Sequence, residues 1–313
     1  MSPPLICLTG PTATGKSGLA VDLVLALAQR GQPAEVVNAD AMLVYRGMDI
    51  GTAKPSPSQR RAVPHHLIDI MDVTESASVA SFQRLARQAI DQIRRRGHLP
   101  IVVGGSALYL HAIIDQVDFP PTDPAVRRRL EAELAAVGPL ELYRRLTAIA
   151  PDVAARLQPD NARRVVRALE AVELQGDFRP VLPHWTYALD GVIQIGLAID
   201  RPAMDRRIEQ RVDEMWRQGL VSEVEALLAR GLRQGRTAAQ AIGYRQVIDY
   251  LDGRIDQSQA RELTVIRTRQ FARKQLTWWR RDQRIRWLSA TAASPVAALA
   301  ELALTSPESA DAG

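Results

Sequence analysis

Apolar residues run without a break through Leu5-Ile6-Cys7-Leu8 before the chain enters a glycine-containing turn. A short unbroken run of this kind predicts a strand covered on both faces. Residues 17–30 then carry Leu19, Leu23, Ala26 and Leu27 at helical spacing, and Gly31 supplies the stop. A second short apolar run, Glu35-Val36-Val37-Asn38, follows at once. Strand, helix and strand joined by short links predict a parallel sheet. Beyond a Pro- and Gly-rich loop over residues 47–64, Leu67-Ile68-Asp69-Ile70 is expected as a further strand. A helix over about 78–96 and the apolar strand Pro100-Ile101-Val102-Val103 come next, and that strand ends in Gly104-Gly105.

From residue 120 to about 184 the pattern changes to short helices punctuated by Pro and Gly, over 124–137, 139–149 and 161–175, without convincing strands. The sheet resumes at 192–199, and helices are expected over 204–218, 221–229 and about 257–279. After residue 289 the chain is Ala-rich with Ser, Pro and acids, the composition of one weak helix and a frayed tail. The expected division is therefore a core begun by residues 1–118, a helical insertion at 119–188, completion of the core with a basic helical region at 189–290, and a tail at 291–313. No internal repeat is visible.

Composition narrows the class. The 313 residues are 46% hydrophobic and 24% charged, and no apolar run reaches the length of a membrane span. The chain opens without a basic, cleavable leader, so a cytoplasmic location is expected, with no membrane partner. The single cysteine, Cys7, excludes an internal disulfide and a cysteine-based zinc cluster, and reads as a small buried hydrophobe. A net charge of +5 decides little, but eight basic residues against one acid lie between Arg267 and Arg286, with Phe271, Trp278 and Trp279 interleaved. That distribution suits a polyanionic partner.

The strongest chemical signal is Gly10-Pro11-Thr12-Ala13-Thr14-Gly15-Lys16-Ser17, which fits G-x-x-x-x-G-K-S between a strand and a helix. Backbone N–H groups of such a loop cradle a diphosphate or triphosphate, Lys16 neutralises its oxygens, and the Ser17 hydroxyl is a candidate Mg2+ ligand. The predicted fold class is α/β, a P-loop NTPase-like parallel sheet with a helical insertion domain and a mainly helical C-terminal region. An ordinary NTPase ends a neighbouring strand in an Asp that helps hold Mg2+, whereas residues 101–103 here run into Gly104-Gly105-Ser106. Asp40, just past the carboxyl end of the second strand, stands where open α/β sheets place their ligands. It reads as a general base, or as a loop-capping Asp or an outer Mg2+ ligand.

Ser106 opens a helix, so its hydroxyl is an N-cap, a donor to a ligand, or both, and the double Gly before it permits close approach of a ligand. His65 and His66 are adjacent, a spacing that favours packing over metal binding. Arg163, Arg164 and Arg167 lie within one helical turn beside Val165 and Val166, and Arg127, Arg128 and Arg129 open another helix; both sets read as a solvated face or as a ligand grip. Gly243-Tyr244-Arg245-Gln246 joins a ring and a guanidinium behind a Gly, a combination suited to stacking on a base and gripping phosphate. Arg207 and Arg211 share one helix face within reach of a diphosphate. Trp278-Trp279 reads as packing.

Together these residues resemble the tRNA dimethylallyltransferase (isopentenyltransferase) family of bacterial type, over residues 5 to about 288. The resemblance is carried by residues 10–17, by Asn38-Ala39-Asp40-Ala41-Met42-Leu43-Val44-Tyr45-Arg46-Gly47-Met48-Asp49-Ile50-Gly51-Thr52-Ala53-Lys54-Pro55, by Val103-Gly104-Gly105-Ser106-Ala107-Leu108-Tyr109, by Arg167-Ala168-Leu169-Glu170 and by Ile242-Gly243-Tyr244-Arg245-Gln246. It implies that the P-loop holds dimethylallyl diphosphate with Mg2+, and that Asp40 accepts a proton from the exocyclic amine of the adenosine 3′ of the tRNA anticodon, position 37. Lys16 and Ser106 complete the implied catalytic set, and Arg211 joins the diphosphate grip. The segments implied to touch the tRNA anticodon stem-loop are Asp40, Ala41, Met42 and Leu43; Arg163, Arg164, Val165, Val166 and Arg167; Ile242 to Gln246; and Arg273, Lys274 and Arg280; with Ser106 and Arg127 as single positions. Family members of bacterial type commonly carry Thr where Ser106 stands, and the hydroxyl survives the change. A P-loop kinase or NTPase acting on a nucleoside or small metabolite is the main rival, a non-catalytic RNA-binding protein the next, and a monomer is expected.

Overall fold

The computed structural model describes residues 3–117, 119–178, 185–290 and 295–304. Strand β1 (Leu5–Thr9) is wholly buried and feeds the phosphate-loop motif into α1 (Lys16–Ala28). Strand β2 (Ala34–Asn38) is equally buried. Within the expected Pro- and Gly-rich loop lies a short helix, α2 (Pro57–Ala62), opened by a capping box in which Ser56 and Gln59 satisfy each other's backbone N–H groups. Ser56-Pro57 with Gln59 is the signal that marks it in the sequence.

The next strand differs from the expected one. Strand β3 is His65–His66, paired in parallel with Val36 and Val37, and the apolar run beginning at Leu67 is not extended. Leu67 and Asp69 have φ of 62° and 57°, which no strand accommodates. The bend carries the Asp69 carboxylate to Lys54 at 2.5 Å and Arg60 at 2.5 Å, and these ion pairs hold it there. Helix α3 (Val79–Arg95) starts on Ser78, whose side chain accepts from the Ser81 N–H, and its inner face buries Phe82, Ala86, Ile90 and Ile93. Strand β4 (Leu99–Val103) and helix α4 (Ala107–Ile114) follow.

Helices α5 (Pro124–Val137), α6 (Pro139–Ile149), α7 (Pro151–Ala154) and α8 (Ala162–Gln175) belong to a compact unit of their own, residues 116–184; residues 1–115 and 185–313 form the other. The smaller unit packs Leu130, Leu142, Leu146, Val165, Val166 and Leu169 together. Val165 and Val166 are 0% and 3% exposed, so their side chains serve this core and are not surface contacts. The backbone N–H of Asp123 donates to the buried Glu170 at 3.0 Å, and Arg127 and Arg167 both pair with that carboxylate. Arg163 and Arg164 stay exposed.

The larger unit continues with β5 (Val192–Ala198), α9 (Arg201–Arg217), α10 (Leu220–Ala229), α11 (Tyr244–Leu251), α12 (Gln257–Trp279), β6 (Arg286–Ser289) and α13 (Pro295–Leu304). Six parallel strands stand in the order β3-β2-β4-β1-β5-β6. Because side chains alternate across a strand, Ile6 and Leu8 point to the layer with α1 and α13, while Leu5 and Cys7 point to the layer with α3, α4, α10 and α11. Covering both faces removes each such side chain from water at a gain of about 1.5–3 kcal/mol. Burial raises the Cys7 thiol far above its ordinary range, so it stays a packing residue. Trp279 is fully buried, as expected for packing. The expected weak helix after residue 289 is α13, and the tail at 305–313 lies outside the described residues.

Candidate active site

The phosphate loop leaves the carboxyl end of β1 under tight backbone control. Gly10 has φ of 136° and its Cα faces the backbone of β5, where a Cβ would stand 2.8 Å from the Leu197 carbonyl oxygen. Gly15 adopts φ of 89° and delivers the first turn of α1. Inside the loop the Lys16 ammonium donates to the Pro11 carbonyl at 2.6 Å, and the Thr14 hydroxyl donates to the same oxygen at 2.9 Å. Burial pulls the Lys16 pKa down to about 7; the Arg211 charge pushes the same way and the Asp40 carboxylate opposes it. A buried cation that lacks a full counter-charge is a site prepared for an anion.

Arg211, on α9, closes the loop from outside. It donates to the Thr12 hydroxyl at 3.1 Å and to the Thr52 carbonyl at 3.2 Å, and burial lowers its pKa as well. Arg207 and Arg211 border a cavity of about 720 Å3 together with Ala13, Thr14 and Gly15. The helix face read from the sequence therefore does converge on the loop. Ser17 is exposed in the first turn of α1.

Asp40 follows β2 on a short anchored segment. Its backbone N–H donates to Asn38 Oδ1 at 2.7 Å, and the Asn38 amide donates to the carbonyls of Asp40 at 2.9 Å and Leu67 at 3.0 Å. Asp40 Oδ1 accepts from the Met42 N–H at 2.9 Å. The carboxylate thus caps its own loop with one oxygen, and the second, without a hydrogen bond among the described residues, is the atom left to accept a proton. Ala41 and Met42 are half-buried and Leu43 is buried.

The Gly104-Gly105 pair has a different purpose from the one expected. A Cβ on Gly104 would lie 2.4 Å from the Ala39 carbonyl, and one on Gly105 would lie 2.5 Å from Gln275 Nε2. The close approach is made by the protein itself, and it draws the start of α4 against the segment that carries Asp40. Ser106 stands at the N-cap of α4 but makes no side-chain capping bond, so its hydroxyl is not committed to the helix.

Tyr244 does not stand as a stacking ring. Its ring is fully buried, its hydroxyl donates to Glu223 at 2.6 Å, and burial beside that carboxylate raises its pKa strongly. A Cβ on Gly51 would collide with the ring at 2.4 Å. Glu223 in turn accepts the backbone N–H groups of Asp49, Ile50 and Gly51 at 3.0, 2.7 and 3.2 Å. Tyr244 therefore holds the 49–52 turn in place and offers no face for stacking. Arg245 pairs with Asp249 at 3.2 Å, Gln246 accepts from the Gly243 N–H at 2.8 Å, and Ile242 is half-buried. Glu223, and Gln275 described below, carried no sequence signal, since each acts through partners distant in the chain.

Residues 43–282 match the family model described as IPP transferase. The chain belongs to this family. A tRNA dimethylallyltransferase of Kineococcus radiotolerans is 54% identical over 92% of this chain and 91% of that protein. Among solved structures, a tRNA isopentenylpyrophosphate transferase of Bacillus halodurans aligns with a TM-score of 0.68 and 39% identity, covering 96% of this chain and 94% of its own. A eukaryotic dimethylallyltransferase described as acting on tRNA aligns with a TM-score of 0.73 and 27% identity, over 94% of this chain and 75% of that one. Of the positions that the family resemblance assigns to tRNA, Arg273, Lys274 and Arg280 are exposed on or next to α12, and the first two border a groove with Trp278 and Arg281.

Proposed function

We propose that this chain transfers a dimethylallyl group from dimethylallyl diphosphate to the N6 amine of adenosine 37 in tRNA, releasing diphosphate. One observation carries the reading: the buried Lys16 within the phosphate loop and the half-buried Arg211 beside it face the same space, and Asp40, close enough to act on the charge of both, holds one carboxylate oxygen without a hydrogen bond among the described residues. A cradle for a leaving anion beside a proton acceptor is what alkylation of an amine requires. The N6 lone pair forms the new bond to the allylic carbon, and the C–O bond breaks with its electron pair passing to the diphosphate. Charge grows on that oxygen as the bond lengthens, and Lys16, Arg211 and the loop N–H groups stabilise it there. The proton leaves N6 for Asp40, and the Ser106 hydroxyl orients the amine. The adenosine reaches this point flipped from its stack.

Among the described residues no cluster of three or more His, Cys, Asp or Glu side chains is arranged to hold a metal. Mg2+ keeps most of its ligands as water and phosphate oxygens, and the exposed Ser17 hydroxyl would be its ligand from this chain. Bound there, Mg2+ would add positive charge to the leaving diphosphate. A kinase would use the same loop, but the chain's family and the Gly-ended β4 favour alkyl transfer. The test is to incubate the protein with unmodified tRNA, Mg2+ and labelled dimethylallyl diphosphate or ATP, and to weigh the nucleosides. Adenosine heavier by one five-carbon allyl group, with ATP untouched, is expected; phosphoryl transfer without alkylated adenosine would replace this reading with the kinase one.

A further inference from the structure

Gln275 lies on α12, in the middle of the basic stretch, yet it is only 6% exposed and points away from solvent. Its Oε1 accepts the backbone N–H of Thr12 at 2.9 Å, and its Nε2 donates to the carbonyl of Gly105 at 2.8 Å. The amide orientation follows from the partners, since an N–H must face the oxygen and a carbonyl must face the nitrogen. One side chain therefore spans the phosphate loop and the turn that leads into Ser106. The bare Cα of Gly105 completes the fit, because any Cβ there would stand 2.5 Å from Nε2. Asn carries the same two groups on a shorter stem, ionised Glu lacks the donor, and Lys and Arg lack the acceptor. The same helix turns Arg273 and Lys274 outward, two and one residues away.

We propose that Gln275 is a positioning residue that fixes the spacing between the diphosphate cradle and the Gly104–Ser106 turn, and ties both to the helix that presents the basic surface. Its kinetic consequence rests on the alkyl-transfer reading; its effect on diphosphate binding does not. Removing it leaves the Thr12 N–H and Gly105 carbonyl unpaired and lets the loop depart from the shape that receives phosphate.

The experiment compares the parent with Q275M and Q275E in four readouts: affinity for inorganic diphosphate with Mg2+ by calorimetry, tRNA affinity, KM and kcat for alkyl transfer, and Tm. In Q275M, diphosphate affinity is expected to fall about tenfold or more, as the loss of one or two buried hydrogen bonds implies, with tRNA affinity held within about twofold. The KM for dimethylallyl diphosphate should rise and kcat should fall, while KM for tRNA stays. Q275E retains the acceptor for Thr12 and regains a donor for Gly105 only when protonated, so its deficit relative to the parent should shrink between pH 8 and pH 5. Parental diphosphate affinity in Q275M overturns the proposal, as does a deficit in Q275E that is the same at every pH. Should Q275M not fold, the pH series on Q275E decides alone. A parent protein that binds diphosphate but alkylates no adenosine would sink the functional reading and leave the Gln275 binding comparison intact.

Discussion

Lys16 and Asp40 make separable contributions, and each can be read by substitution. With the Lys16 pKa at about 7 in the folded chain against its ordinary 10.5, the unfolded chain holds more of this proton between those values. By linkage, this group alone makes the ligand-free protein more stable as pH rises through that window. A bound diphosphate supplies the missing counter-charge and drives the pKa back up, so binding at pH 8 should take up more proton in the parent than in Lys16→Ala. Calorimetry in buffers of different ionisation enthalpy measures that difference, in which the diphosphate's own proton exchange cancels, and equal uptake in the two proteins would mean that the buried ammonium is already charged. Lys16→Ala should also weaken diphosphate binding about 10- to 100-fold, the worth of a charge-assisted contact. Asp40→Asn keeps the Oδ1 acceptor for the Met42 N–H and so preserves the loop. Its kcat should drop about 100- to 10,000-fold, as loss of a general base does, with tRNA affinity little changed. Equal loss of affinity and rate would return Asp40 to a purely structural role.

At the scale of elements, the site depends on how closely the carboxyl ends of β2 and β4 approach. Gly104→Ala would force its methyl group into the Ala39 carbonyl, a backbone atom that cannot swing aside. The expected cost is about 1–3 kcal/mol of stability, as for other overpacked positions, together with reduced alkyl transfer, since Asp40 follows Ala39 directly. A thermal melt and a rate assay on the same sample check both; an unchanged Tm would show that the strand ends separate freely. The buried strands and the phosphate loop were legible because their signals are local: unbroken apolar runs, and glycines at fixed offsets from Lys16. The bend at Leu67–Asp69 was not, because ion pairs from Lys54 and Arg60 override the strand propensity of the apolar run. Tyr244 looked like a stacking ring because nothing beside it in sequence reveals Glu223, and the Thr12–Gln275 bond joins residues 263 positions apart. The part of the site that positions its chemistry is thus long-range, while the part that performs it is local.

Over the molecule as a whole, the basic stretch at 267–286 overstates the charge offered to a polyanion. Arg269 pairs with Asp205 and Glu209, and Arg284 is held by Asp115 at 2.7 Å and Asp282 at 2.8 Å, both carboxylates being fully buried. Arg284 also lies over the Tyr187 ring, 4.2 Å from its centroid. These two guanidinium groups neutralise the protein's own carboxylates, whereas Arg273, Lys274, Arg280 and Arg281 remain exposed. Substitution should separate the two kinds of basic residue. Each exposed cation that meets a tRNA phosphate releases about 0.7–0.9 counterion, so Arg273→Ala or Lys274→Ala should flatten the plot of log affinity against log salt by about that amount. Arg284→Ala removes no such contact and strands the Asp115 and Asp282 carboxylates in the interior. It should leave the salt slope of the folded fraction unchanged while lowering Tm, at a cost of about 3–5 kcal/mol for breaking a buried ion pair from one side. Titrations of tRNA binding at several salt concentrations, read beside melting curves, decide the matter. A flattened slope in Arg284→Ala with a parental Tm would place that guanidinium on the RNA rather than in the core.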